Sequence, residues 1–302
     1  MAGRTARGKG YAARVDVRFG IAISTSAREG ADPVADARHA ESLGFDLLTV
    51  SDHLVGSQPS FETWTLLTWL ASATSRVLVA PTVLGLPYRH PPVVAKMAES
   101  LQRLSGGRLV LGLGGGGNDR EFEAFGLTLR SPGEKVDALE EEIGVLRALW
   151  TGEPSSLQGK HFELREAQIT PSPSTPIPIW LGTYGSRALE LTGRLADGWN
   201  PSMPYMPPEI AAKRRGRVLA AAEAAGRDPG EITCSYNLSV TLREDAPEQP
   251  NTVVGGPDRV AEELAGLARL GFPFLVFWLR GGAEARERMA SEVFPLVRDA
   301  LR

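Results

Sequence analysis

Four places along this chain put reactive or ligand-holding side chains just after a short apolar run. In the first, Phe45–Val50 (FDLLTV) leads into Ser51-Asp52-His53. A carboxylate beside an imidazole can orient and tune a group that gives or takes a proton. The plainer alternative is that Asp52 caps a turn and His53 is an ordinary surface side chain. In the second, Val77–Val83 contains Pro81-Thr82-Val83 and is followed by Leu84-Gly85 and Tyr88-Arg89-His90. Arg89 there either pairs with a phosphate or carboxylate or braces its own loop. In the third, Leu109–Leu113 stops in Gly114, Gly115, Gly116 and Gly117, with Asn118 next. Glycines at a strand end let backbone approach a ligand with no Cβ in the way, although a flexible surface loop would read the same. The fourth place, Gly182-Thr183-Tyr184-Gly185-Ser186, opens straight into a helical pattern. Amides and hydroxyls at a helix N-terminus make an anion cradle; a simple Gly-Ser cap is the alternative.

Elements that could bring these four places together are legible in the pattern. Short apolar runs alternate with amphipathic stretches: Arg18–Ile23, Phe45–Val50, Val77–Val83, Leu109–Leu113, Ile177–Leu181, Ala196–Trp199, Ile232–Val240 and Phe274–Leu279 read as strands. Between and after them, Pro33–Leu43, Phe61–Ala73, Pro91–Leu104, Pro132–Trp150, Ser186–Arg194, Pro208–Ala225, Arg259–Leu270 and Ala283–Arg302 read as helices. Ser131 and Glu134 supply a capping box for the longest of these. Ser156–Leu164 suggests a small hairpin turning at Gly159-Lys160, and Arg243–Pro257, rich in Pro, Glu and Asp, reads as a mobile loop or lid. Evenly spaced strand–helix units predict a single-domain (β/α)8 TIM barrel with loop insertions, over residues 17–302. A doubly wound sheet is the runner-up. In a barrel the carboxyl ends of the strands carry the chemistry, and all four places stand at such ends.

Composition narrows the classes. With 302 residues, 42% hydrophobic and 23% charged, the chain matches an ordinary soluble enzyme. Its net charge of −3 has acids and bases interleaved, so no basic face for nucleic acid emerges outside the amino terminus. Residues 1–16, basic and Gly/Ala-rich, lack the apolar core of a secretory signal and are expected to be a disordered leader. No apolar run reaches the ~18 residues of a membrane helix. The single cysteine, Cys234, allows no intramolecular disulfide and suits a reducing cytoplasm. Gly112, Gly114 and Gly117 match a dinucleotide fingerprint, but a glycine run makes that match cheap and it falls on the fourth strand rather than the first. His39, His53, His90 and His161 lack metal-ligand spacing, and neither a Walker loop nor a Gly-x-Ser-x-Gly elbow is present.

Taken in order, several motifs resemble the luciferase-like monooxygenase superfamily, barrel enzymes that use FMN or the deazaflavin coenzyme F420. They are Gly44-Phe45-Asp46 before Ser51-Asp52-His53, Ala73-Thr74-Ser75-Arg76, Leu104-Ser105-Gly106-Gly107-Arg108, and Leu111-Gly112-Leu113-Gly114 with Asn118. Glu121-Phe122 to Gly126, and the run Leu191–Trp199, complete the set. The resemblance implies an oxidoreductase with its redox ring in the barrel mouth. Asp52 and His53 would lie by the ring, His53 handling a proton. Thr82-Val83 would form a bulge behind it, with a non-prolyl cis peptide in deazaflavin relatives. Gly114, Gly115, Gly116 and Asn118 would flank the ring and its ribityl chain, and Gly182, Thr183, Tyr184, Gly185 and Ser186 would hold the phosphate.

One departure matters. Where deazaflavin-dependent sugar-phosphate dehydrogenases carry a catalytic Glu after the glycines, this chain has Gly117, which argues against importing their substrate. The Gly-Thr-Tyr-Gly-Ser loop and the Leu191–Trp199 run resemble the deazaflavin branch more than the FMN branch. The reading is therefore hydride transfer between coenzyme F420 and a small organic substrate, in a homodimer by family analogy. The alternatives are an FMN-dependent monooxygenase served by a flavin reductase, and a non-redox phosphate-binding lyase or isomerase.

Overall fold

Eight strands run parallel around a ring, and each is buried by helices outside and by its neighbours' side chains inside. The structure, a computed structural model, describes residues 16–56 and 58–302. The leader expected from the sequence falls, but for Asp16, outside the described residues. β1 (Arg18–Ala22) pairs with β2 (Leu47–Val50), and β2 with β3 (Leu78–Pro81). β4 (Leu84–Gly85) and β5 (Leu111–Gly114) pair with each other, and β5 continues the ring to β8 (Ile179–Leu181). β9 (Gly198–Trp199), β10 (Thr233–Leu242) and β12 (Phe274–Arg280) follow, and β12 returns to β1. The ring closes at Val79, whose N–H donates to the Arg108 carbonyl (2.9 Å) and whose carbonyl accepts from Val110 N–H (3.0 Å). The expected (β/α)8 barrel is the fold.

Side chains alternate along each strand. In β3 and its approach, Val77 and Val79 face the helices while Leu78 and Ala80 face inward. A compact inner cluster of Leu47, Ala80, Val110, Trp180, Phe274 and Val276 fills the barrel. Trp180 meets Phe274 edge-on at 5.4 Å, and Gly198 admits the Trp180 ring, since a Cβ there would lie 2.4 Å from it. The barrel interior is thus packed, and its carboxyl-terminal mouth opens into a cavity.

The outer ring comprises α1 (Pro33–Ser42), α2 (Thr63–Ala73), α3 (Pro91–Leu104), and α4 (Asp119–Ala124) leading to α5 (Pro132–Trp150). α6 (Ser186–Leu195), α7 (Pro208–Ala224) and α8 (Pro257–Arg269) continue it. The last helix is α9 (Gly282–Arg288) joined to α10 (Phe294–Ala300) through a wider turn over Met289–Val293. The expected capping box on α5 is present. The hairpin is β6 (Ser155–Gln158) with β7 (Glu163–Ala167).

Two expectations change, and one element is added. The third strand does not run unbroken to Val83: it stops at Pro81 and pairing resumes only at β4, while the Thr82–Val83 bond between them is cis, as the resemblance implied. The segment read as a structureless loop holds β11 (Thr252–Gly255), which adds in parallel to the long β10. The residues after the glycine run form α4, a helix too short for periodicity to reveal.

Candidate active site

The four strand ends converge on one cavity of about 660 Å³ in the barrel mouth, mid-range for pockets that enclose a small organic molecule. Asp52 and His53 border it from the β2 end, Thr82 and Val83 from the β3 end. Gly114, Gly115, Gly116, Gly117 and Asn118 border it from the β5 end. Gly182 and Tyr184 do so from the β8 end. Thr183, Gly185 and Ser186 do not reach it. The Thr183 hydroxyl is buried against Thr192 Oγ1 at 2.7 Å, which turns it away from any ligand. Gly185 caps α6 with no side-chain acceptor, and Ser186 opens the helix outside the cavity, its Oγ accepting from Arg217 Nη1 at 2.9 Å.

His53 is oriented by a residue far away in sequence. Its Nδ1 lies 2.9 Å from Glu121 Oε2 on α4. Asn118, the N-cap of α4, donates its Nδ2 to the same oxygen at 3.0 Å. The backbone N–H groups of Leu54 and Val55 donate to Oε1. Glu121 is buried yet fully engaged, so both carboxylate oxygens have partners. Burial opposes its ionisation, but hydrogen bonds from His53 and from the Val55 and Leu54 amides outweigh that and hold its carboxyl below the ordinary value. An ionised carboxylate can only accept, so Nδ1 of neutral His53 carries the proton and Nε2 is left as an acceptor. The His53 side chain is 54% exposed, so that nitrogen is reachable. The phenol of Tyr88, also on the wall, is pushed up first by burial and then by Glu121, and stays protonated.

Asp52 takes its partners from the other side of the loop. Its Oδ2 accepts from Gly85 N–H and Arg89 Nη1, both at 2.9 Å, and Oδ1 accepts from Arg89 Nη2 at 3.0 Å. Arg89 also pairs with Glu62. A bidentate guanidinium and a backbone amide occupy the carboxylate. Asp52 thus makes its bonds to the segment after the cis peptide and to Arg89, which braces its loop, while the partner of His53 is Glu121. Asp52→Asn is expected to destabilise the fold by about 1–2 kcal/mol, because Arg89 keeps Glu62 but loses one charge-assisted bond of its bidentate pair. A melting curve checks this, and an unchanged midpoint would contradict it.

The glycine run does more than clear space for a ligand. A Cβ on Gly114 would sit 2.6 Å from Val83 Cγ2, and one on Gly182 would sit 3.1 Å from Val83 Cγ1. The two glycines let the Val83 side chain settle between the ends of β5 and β8. Gly116 has φ of +85° and lies under Phe122, which a Cβ would approach to 2.6 Å. Gly117 alone of the four has nothing within 4 Å of its would-be Cβ.

The family model described as luciferase-like monooxygenase matches residues 17–249. The chain belongs to the luciferase-like monooxygenase family. An F420-dependent glucose-6-phosphate dehydrogenase of Nakamurella multipartita is 31% identical over 237 residues, covering 76% of this chain and 69% of the relative. An F420-dependent hydroxymycolic acid dehydrogenase of Mycobacterium tuberculosis is 36% identical over 217 residues, covering 70% of this chain and 59% of the relative. Among solved structures, an F420-dependent secondary alcohol dehydrogenase in complex with an F420–acetone adduct superposes with a TM-score of 0.84. That likeness, at 19% identity over 94% of this chain and 100% of the other, is one of fold.

This luciferase-like cavity has a further wall that motif reading missed. Asn200 follows β9, and Asn237 stands inside β10. Asn237 Nδ2 donates to Asn200 Oδ1 and to the Pro201 carbonyl, and Ser235 Oγ donates to Asn200 Oδ1 at 2.8 Å. Ser202, Tyr205 and Trp278 complete that side. A signal existed: Ser235 and Asn237 belong to a polar row, Thr233 to Thr241, that alternates with apolar residues along β10, one row of which a barrel points inward. Among the described residues no cluster of His, Cys, Asp and Glu could hold a metal ion, and no helix is long and apolar enough to cross a membrane.

Proposed function

We propose that the protein is an F420-dependent oxidoreductase that passes hydride between the deazaflavin and a small organic substrate in the barrel mouth. The observation that carries this is His53, held by Glu121 with an unencumbered Nε2 on the wall of a cavity that also contains the Val83 bulge. When bound, the coenzyme supplies or accepts the hydride. The residues fit such a group. Thr82, Val83, Gly114, Gly115, Gly116, Asn118 and Gly182 would border a planar ring, and the Val83 side chain projects where Gly114 and Gly182 lack Cβ atoms. Tyr184, Gly185 and Ser186 lead to the first turn of α6, which has no side-chain cap, and Arg217 stands beside it. That turn would take a phosphate through its amides. His53 Nε2 would take the proton from an alcohol or return it to a carbonyl oxygen, with Glu121 stabilising the charged imidazole. The F420 dependence of both curated relatives supports the deazaflavin over FMN.

The reading extends to a cytoplasmic homodimer. The one cysteine, Cys234, is buried and unpaired, in keeping with a reducing compartment. Exposed Trp69 on α2 and Val93 on α3 offer apolar surface to a second copy.

The test is turnover without oxygen. Incubated anaerobically with oxidised F420 and a panel of small alcohols, or with reduced F420 and the matching carbonyl compounds, the protein is expected to change the coenzyme's visible absorbance. An enzyme that works only with reduced FMN and consumes oxygen would instead be a monooxygenase needing a reductase, and would overturn the proposal.

A further inference from the structure

The charges around the cavity indicate what kind of molecule it takes. Among the described residues no lysine or arginine side chain lines it. Asp52 is the one acidic side chain on the wall, and its oxygens are held by Gly85 N–H and Arg89. The Arg89 charge is shared between Asp52 and Glu62. Glu121, behind His53, already accepts from His53, Asn118, Leu54 and Val55. An anionic substrate would therefore meet no cation and two nearby carboxylates. A cationic one would find no carboxylate oxygen to pair with. Either charge would be desolvated without compensation, which is costly inside a cavity.

What the wall does offer is neutral. Asn200 Oδ1 and Asn237 Nδ2 hold each other, so among the described residues the Asn200 Nδ2 donor and the Asn237 Oδ1 acceptor keep no protein partner. Together with His53 Nε2 they give the wall uncharged donor and acceptor capacity of the kind that carbonyl or hydroxyl groups take. Tyr184 and Tyr205 lie 5.5 Å apart at the rim, and Tyr205 is 75% exposed. Trp278 adds a third ring that is 36% exposed. Exposed aromatic faces on a concave wall favour a ring-shaped or apolar body.

Resting on the oxidoreductase reading above, we infer that the substrate is an uncharged carbonyl compound or alcohol with an apolar, ring-sized body, and not a phosphorylated or carboxylated metabolite. This sets the chain apart from the sugar phosphate in its relative's name.

Three ketones differing at one position test it: 4-methylcyclohexanone, 4-oxocyclohexanecarboxylate and 4-aminocyclohexanone, the last an ammonium ion at pH 7. Calorimetric titration into F420-loaded protein is expected to give measurable binding of the methyl ketone. Both charged analogues should bind weaker by roughly tenfold or more, and glucose 6-phosphate should give no heat. Equal or tighter binding of either charged analogue, or none by the methyl ketone, would overturn the inference. Tyr205→Arg places a cation at the exposed rim. It is expected to tighten the carboxylate's binding by about fivefold or more, with no gain for the methyl ketone. No change in this variant would also count against the inference. Loading is read separately from the coenzyme's absorbance. If F420 fails to load, the oxidoreductase reading falls, and the same ketone series, followed by tryptophan fluorescence of the protein alone, still decides the preference for a neutral ligand.

Discussion

Replacing His53 with alanine is expected to lower turnover by about 10²–10⁴-fold while coenzyme affinity changes little. The argument is geometric. His53 reaches the cavity through Nε2, and its other nitrogen is fixed by Glu121 at 2.9 Å. Removing the ring removes the group that moves the proton but leaves Val83, the glycines and α6 in place. Glu121→Gln should act more gently, because the amide can still meet Nδ1 but carries no charge to stabilise an imidazolium. A loss of about tenfold in kcat is expected there, and His53→Ala in the Glu121→Gln background should add less than its single effect. Steady-state kinetics with a fixed substrate measures all three. Full turnover in His53→Ala would remove the imidazole from the mechanism.

Gly112→Ala is expected to be the most damaging single-methyl change in the barrel. A Cβ at that position would lie 2.1 Å from the Pro81 carbonyl oxygen, and 3.3 Å from Val83 Cγ1. The first neighbour is backbone of the adjacent strand, so no rotamer change relieves the overlap. Destabilisation of about 3 kcal/mol or more should follow, at the upper end of overpacking effects. Coenzyme binding should be lost with it, since the same shift displaces the Val83 bulge. Gly117→Ala is the contrast: its Cβ enters open space, and stability should stay within about 0.5 kcal/mol of the parent. Denaturant unfolding of the two variants separates a close-packed glycine from a spacious one. Equal midpoints would contradict the packing account.

The barrel was legible because buried parallel strands leave continuous apolar runs, and because caps such as Ser131 with Glu134 mark helix starts. β11 escaped because its four residues lie in a segment dominated by Pro, Glu and Asp, where only pairing to β10 makes a strand of them. The positions bordering the cavity were legible wherever a strand end announced them, as at His53, Thr82 and Gly114. Contacts were harder to read. Asp52 and His53 are adjacent, yet neighbours in extended chain point apart, and the partner of His53 proved to be Glu121, 68 residues away. Thr183 looked like a phosphate ligand by type, but its hydroxyl turns inward to Thr192. The run Gly114 to Gly117 does line the cavity, but Gly114 also makes room for Val83 and Gly116 for Phe122, which the sequence alone does not show. Such close approaches depend on which strands become neighbours, and no local pattern encodes that.

Titrating the purified protein with oxidised F420 and, in parallel, with FMN tests the central claim most directly, following each chromophore's visible absorbance. The account predicts saturable F420 binding at one per chain, with FMN weaker by roughly tenfold or more. Stoichiometric FMN binding, with the F420 spectrum unmoved, would contradict it.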